Sequence, residues 1–118
     1  MSLTGPELDL MARELASLAG ARIQKITAPS AQAAALELRR PGQSAVVLLD
    51  TAPGAARVGV VPRRPAAPER PVGLQGLLRA HLGGARLDEV TADPLRRLLA
   101  LRFTTGKGER SLVLEIAS

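Results

Sequence analysis

Apolar residues recur at helical spacing in two stretches of the chain and at strand spacing through most of the rest. In the first stretch Leu8, Met11, Leu15 and Leu18 fall on one stripe, while Glu7, Arg13, Glu14 and Ser17 fall mainly outside it. Thr4 as N-cap with Glu7 three residues on forms a capping box, and Leu3 and Leu8 stand at the positions of a hydrophobic staple. Pro6 is tolerated in the first turn, where its missing N–H has no intrahelical partner, and Gly20 supplies a stop. The second stretch, about residues 72–82, carries Leu74, Leu77, Leu78, His81 and Leu82 on its apolar face and ends at Gly83-Gly84. Gly73 and Gly76 inside it each cost about 1 kcal/mol against Ala. Their presence predicts a close approach by another backbone.

Between and after these helices the period changes to two. Residues 23–27 read as a strand in which Ile23 and Ile26 break strict alternation, so a bulge is expected there. Ala34, Leu36 and Leu38 alternate with Glu37 and Arg39, Pro41-Gly42 marks a turn, and residues 45–49 are continuously apolar, as in a strand covered on both faces. Further strands are predicted at 57–61, 86–91, 98–104 and 111–117, the last two joined by Thr105-Gly106-Lys107-Gly108. Part of this order is repeated in the letters. Residues 20–28 read Gly-Ala-Arg-Ile-Gln-Lys-Ile-Thr-Ala, and residues 84–92 read Gly-Ala-Arg-Leu-Asp-Glu-Val-Thr-Ala. Two copies are too few for a solenoid, which needs about three units. They predict one domain of two related halves, about residues 3–61 and 72–118. The intervening stretch, 62–71, has proline at every third position, the period of polyproline II, and reads as a stiff strap. A loose SH3-ligand pattern inside it is the lesser reading. No helix separates successive strands within a half, so the class is α+β with antiparallel pairing and helices at the margins.

Composition narrows the chemistry. With 118 residues, 46% of them hydrophobic, the chain can build one sizeable core. Phe103 is the sole aromatic, so that core is Leu, Val, Ile and Ala, and RNA recognition by aromatic stacking platforms is disfavoured. Sixteen basic residues against eleven acidic ones leave +5, which suits a phosphate-rich partner. Absence of Cys excludes disulfides and thiolate metal sites, and one His is too few for an ordinary zinc site. No apolar run reaches the length of a membrane span, and the first residues lack the pattern of a signal peptide. A cytoplasmic domain without cofactor, metal or membrane contact is expected.

Several motifs, in order and at matching separations, resemble the N-terminal domain of the NFACT family, first described as fibronectin-binding protein A and associated with ribosome quality control. They are Met1-Ser-Leu-Thr-Gly5 and its helix, Gly20-Ala-Arg-Ile-Gln-Lys-Ile26, Arg57-Val58, Pro68-x-x-Pro71, Leu77-Leu-Arg-Ala-His-Leu82, Gly84-Ala-Arg-Leu87 and Leu112-Val-Leu-Glu-Ile116. The resemblance implies a fold like the N-terminal domain of formamidopyrimidine-DNA glycosylases, a two-sheet antiparallel β-sandwich flanked by helices. It also implies tRNA and the large ribosomal subunit as partners, in a factor that promotes untemplated C-terminal tailing of stalled chains. Family members carry an Asp-Arg pair before the strand that begins here at Leu98. Arg97 matches the Arg, but Arg96 stands at the Asp position and Asp93 lies three residues earlier. An Asp can orient the guanidinium by a charge-assisted bond, and an Arg cannot.

The resemblance and the charge together nominate Arg97, Arg96, Arg79, His81, Arg57, Arg63 and Arg64 as RNA contacts. Arg79 and His81 lie two residues apart on the second helix and face differently; His81 shares the leucine side and reads first as a core or boundary residue. Arg22 and Arg86, matched in the repeat, read as structural braces. The pairs Arg39-Arg40, Arg63-Arg64 and Arg96-Arg97 would form a phosphate track only if they met on one face. Gly106-Lys107-Gly108 is too short for a nucleotide-binding loop and reads as a hairpin turn. No catalytic constellation can be assembled around the single His. The glycosylases' N-terminal proline nucleophile is also missing, since residue 2 is Ser2 and Pro6 is internal. The leading expectation is a non-catalytic RNA-binding domain. Alternatives are a protein-interaction module, as a homo-oligomer or docked on a longer partner, and a fibronectin-binding adhesin.

Overall fold

A computed structural model describes residues 5–116. The order is α1 (Gly5–Ala16), β1 (Arg22–Ser30), β2 (Ala33–Arg40), β3 (Gln43–Asp50), β4 (Arg57–Val61), α2 (Gly73–Leu82), β5 (Arg86–Asp93), β6 (Leu98–Thr105) and β7 (Gly108–Glu115). The class is α+β, with every strand pair antiparallel. Thr4 of the capping box and Leu3 of the staple lie outside the described residues.

Hydrogen bonding joins all seven strands in the order β4-β3-β2-β1-β5-β6-β7. The join between the halves is narrow, however: β1 and β5 pair only at Arg22↔Arg86. The expected two sheets are therefore two leaves of one sheet, β1–β4 and β5–β7, meeting at a seam. Both leaves feed one core. Leu36, Leu38, Val47, Leu49 and Val58 from the first meet Leu87, Leu99, Leu101, Phe103 and Leu114 from the second. Burial of this apolar surface is the dominant favourable term in folding.

The seam is where the sequence repeat becomes geometry. Ile23 N–H donates to Ala85 O and Leu87 N–H donates to Ala21 O, each at 2.8 Å, so matched residues of the two copies exchange matched bonds. Gly20 and Gly84 both hold positive φ (93° and 74°), the left-handed geometry glycine tolerates best. Register shifts fall between Ile23 and Lys25 in β1 and between Leu87 and Glu89 in β5. Each inserts one residue, Gln24 or Asp88, so that Ile23 and Ile26, like Leu87 and Val90, all reach buried positions. The bulge expected from the broken alternation is thus present in both copies.

The helices are exchanged between halves. α1 packs chiefly on β5 and also touches β4, whereas α2 packs chiefly on β1. α1 buries Leu8, Ala12 and Leu15, and Leu18 follows in the next turn. α2 buries Leu78 and Leu82, but its third buried residue is polar, Gln75. The strap at 62–71 carries no helix or strand. Pro65 and Pro68 are half-buried while the residues between them are exposed, as a three-residue period would place them.

Candidate nucleic-acid interface

α2 sits on β1 through polar bonds as well as leucines. Beyond Thr27 the β1–β2 register slips again, before Ser30. In this stretch Ala28 N–H donates to Gln75 Oε1 at 2.9 Å, in a buried bond. Nearby, Arg79 Nε donates to Ile26 O at 3.2 Å. A side chain from α2 thus supplies a partner that the irregular strand does not, and buried amides require one. The Arg79 bond also fixes the guanidinium over the seam, although the residue stays exposed.

Two shallow hollows, of about 280 and 300 Å³, run along this side of α2, and a third, of about 410 Å³, lies between its C-terminal end and the β6–β7 hairpin. The first lies between the strap and β1 and includes Lys25, Arg64, Gln75 and Arg79. The second shares Lys25 and Arg79 and continues to Gly83 and Gly84. The third shares Gly83 and continues to His81, Lys107 and Arg110 at the β6–β7 hairpin. Lys25, Arg64 and Arg79 border the two adjoining hollows on one flank of α2, while His81, Lys107 and Arg110 border the third, which meets them only at Gly83; no Asp or Glu lines any of the three. The nearest neutralising contact is at the rim, where Arg64 meets Glu37 at 3.4 Å. An exposed ion pair of that length contributes little, about 0–1 kcal/mol, so Arg64 can exchange Glu37 for a phosphate. Clefts lined by one sign of charge attract the opposite ion and raise its local concentration.

The family model for the NFACT N-terminal and middle domains matches residues 5–118. The chain belongs to the NFACT family. Solved structures agree. The N-terminal domain of fibronectin-binding protein PavA from Streptococcus pneumoniae is 28% identical over 99% of this chain, with a TM-score of 0.88. The N-terminal part of the fibronectin/fibrinogen-binding protein from Streptococcus suis is 30% identical over 98%, with a TM-score of 0.82. A fibrinogen binding protein from Staphylococcus aureus, at 22% identity over 98% and a TM-score of 0.76, shares the fold. This chain spans about half the length of those chains, 48%, 45% and 43% respectively. No curated protein matches.

Against this NFACT frame, the nominated residues divide. Arg64, Arg79 and His81 border the hollows. His81 is exposed, which corrects its reading as a core or boundary residue. The buried line of α2 is Gln75, Leu78 and Leu82, and at 100° per residue His81 stands about 90° from its centre. Gly76 likewise faces open space, with nothing within 4 Å of an added Cβ, and so does Gly73. The expected close approach of another backbone is absent because Gln75, one residue away, makes the contact. Arg63 is exposed on the strap beside Arg64.

Arg96 and Arg97 lie at the far end of β6, roughly 25 Å from the β6–β7 hairpin at strand rise. Asp93 reaches both the Arg96 N–H, at 3.1 Å, and the Arg96 Nε, at 3.7 Å. An Asp-Arg pair therefore exists here, three residues apart and built on a turn. Arg97 is the one non-glycine with positive φ (55°) among the described residues. Its Nε donates to Ile116 O and its carbonyl accepts from Ile116 N–H, both at 2.9 Å. Arg57 pairs with Asp50 at 3.8 Å, at the opposite end of β4 from the strap. The arginine pairs do not form one track, for Arg40 is spent on Ala19 O and Gln43. Arg22 reaches Gly84 O across the seam at 3.4 Å, whereas Arg86 binds Asp88 on its own strand at 2.8 Å, so only Arg22 braces the seam through its side chain.

Sequence reasoning missed Lys25, Lys107 and Arg110. Lys107 sits in the two-residue turn of the β6–β7 hairpin, whose Thr105 Oγ1 accepts from Lys107 N–H and donates to Gly108 O. The available signal was the repeat itself: Lys25 and Glu89 occupy matched positions with opposite charge. Among the described residues no cluster of three or more His, Asp or Glu could hold a metal, and no helix is long and apolar enough to cross a membrane.

Proposed function

We propose that this domain binds folded RNA, tRNA or ribosomal RNA, through phosphate contacts at the basic hollows around α2, as the RNA-gripping part of a ribosome quality-control factor. The observation that carries the reading is that Arg64, Lys25 and Arg79 line two adjoining hollows, and His81, Lys107 and Arg110 a third that meets them at Gly83, with no carboxylate among the lining residues. Membership of the NFACT family and the +5 charge support it. The domain's part is to hold and orient RNA; it supplies no covalent chemistry. Arg63 adds a further cation on the strap. Arg57, Arg96 and Arg97 are secondary contacts, engaged only by an RNA large enough to reach them.

Filter binding of tRNA against salt tests this. Affinity is expected to fall linearly on a log–log plot, with a slope near the number of phosphates neutralised. No binding at low salt, or a flat salt dependence, contradicts the proposal. A second reading, attachment to a matrix protein, rests on the names of the streptococcal relatives. It predicts capture of this domain by immobilised fibronectin at physiological salt, and no capture ends it.

A further inference from the structure

The hollow between the strap and β1 holds more than charge. Lys25 and Thr27 stand two residues apart on β1, project to the same side, and both line it. Thr27 is only 4% exposed, yet its hydroxyl makes no hydrogen bond among the described residues. Among those residues no side-chain N or O atom is both sealed from solvent and without a partner. The Thr27 hydroxyl therefore opens on the hollow that its residue lines. Gln75 repeats the pattern at 7% exposure. The Ala28 N–H can be met only by the amide oxygen, so that bond turns the NH2 end the other way. The NH2 has no partner among the described residues either, and Gln75 lines the same hollow. Buried polar groups are normally paired inside the fold; here two neutral donors are kept for a partner from outside.

Cations complete the set. Arg79 spends Nε on Ile26 O, which orients the guanidinium and leaves its two terminal nitrogens, a fork that suits two oxygens of one anion. Arg64 comes from the strap and Lys25 from β1. No Asp or Glu lines this hollow of about 280 Å³; Glu37 stands at its rim, held by Arg64 at 3.4 Å. Five donor groups around one hollow, three of them charged, outnumber the two oxygens of a carboxylate. They match a phosphate, whose oxygens point in four directions and each accept more than one bond.

We propose that this hollow is a seat for a single phosphate group, held by hydrogen bonds from Thr27 and Gln75 as well as by the charges of Lys25, Arg64 and Arg79. For the source of that phosphate this rests on the RNA-binding reading above. It singles out the one hollow that recognises phosphate by shape. The hollow at His81, Lys107 and Arg110 has no buried polar side chain in its lining and acts through charge alone.

The test titrates the 118-residue chain with inorganic phosphate, followed by NMR of the side-chain N–H resonances, against chloride at matched ionic strength. Phosphate is expected to shift the Gln75 amide and Arg79 Nε resonances, and chloride to leave them in place. Thr27→Val then removes a neutral donor while keeping the side chain's shape and breaking no bond within the fold, so the urea midpoint is expected to hold. Its tRNA affinity is expected to fall about tenfold with the salt slope unchanged, whereas Lys25→Ala lowers the slope by about one. Wild-type tRNA affinity in Thr27→Val, or no phosphate-selective shift at Gln75, overturns the seat while leaving RNA binding by charge intact. A phosphate-selective shift with no tRNA binding overturns the RNA-binding reading and not the seat. Phosphatase treatment of the tRNA separates the sources. Unchanged affinity assigns the seat to an internal phosphate, and a loss equal to that of Thr27→Val assigns it to the terminal one.

Discussion

β1 and β5 begin with the same Gly-Ala-Arg, carry a one-residue bulge at the same place and bury matched residues on either side of it. Their polar residues then part company. At the bulge of β5, Asp88 accepts from Arg86 and from the Thr104 hydroxyl, and Glu89 pairs with Arg102, which also holds Glu109. Arg86 and Arg102 are thereby matched by carboxylates on the same leaf. At the bulge of β1 the residues are Gln24 and Lys25, and Lys25 borders the hollows under α2. The helices follow the same division. α1 meets β5 with an apolar stripe, Leu8, Ala12 and Leu15, while α2 meets β1 with Gln75 and Arg79 beside its leucines. One copy of the repeat is closed and self-neutralised; the other is open and cationic. A duplicated unit can keep its backbone and divide its tasks by changing two residues at a bulge.

The comparison can be broken in order of expected effect. Leu15→Ala removes a fully buried side chain from the apolar dock and is expected to destabilise by about 2–5 kcal/mol in urea denaturation. Gln75→Ala strips the polar dock, leaves Ala28 N–H unpaired and is expected to cost about 1–3 kcal/mol. If Gln75→Ala proved the costlier of the two, the ranking of the docks would be reversed. Charge exchange across the repeat is subtler. Lys25→Glu is expected to weaken tRNA binding by about tenfold, or about 1.4 kcal/mol, with stability within about 0.5 kcal/mol. Glu89→Lys is expected to leave tRNA affinity unreduced, because the second leaf lies outside the hollows at that position.

The smallest effect is a pH dependence. Hydrogen bonds from Thr104 and Arg86 hold the Asp88 carboxyl below the usual carboxylate range. A depressed folded-state value means the contribution is present above the unfolded pKa and is lost as pH falls through the folded one. Wild-type protein is therefore expected to lose slightly more stability on acidification below about pH 4 than Asp88→Asn. Matched urea midpoints across that window show whether the β5 network behaves as a charge-linked unit.

Much of the fold was legible because it follows from local rules. The α1 stripe, the Gly20 stop, the bulge between Ile23 and Ile26, the Gly106-Lys107 turn and the proline strap each follow from spacing or backbone freedom. The site was less legible. Arg64 and Arg79 were nominated by charge, but which cations share a surface depends on α2 crossing to β1 of the other half. No short motif encodes that exchange. Lys25, Lys107 and Arg110 are isolated letters in the sequence, and only the fold sets them at hollows that meet at Gly83. His81 was misplaced because leucine neighbours at 78 and 82 mask a helical face whose real third member is Gln75. The Asp93–Arg96 pair was hidden for a similar reason, since a turn brings together residues that a linear motif separates.

The central claim is that position, not charge count, makes the RNA surface. Two triple variants test it at identical net charge, Lys25→Ala with Lys107→Ala and Arg110→Ala, against Arg13→Ala with Arg39→Ala and Arg70→Ala, three exposed positions outside the hollows. Their tRNA affinities are measured by anisotropy across a salt series. The α2-face triple is expected to lose at least about tenfold in affinity and about three units of salt slope, while the dispersed triple stays within about threefold of wild type. Equal losses in the two triples contradict the claim.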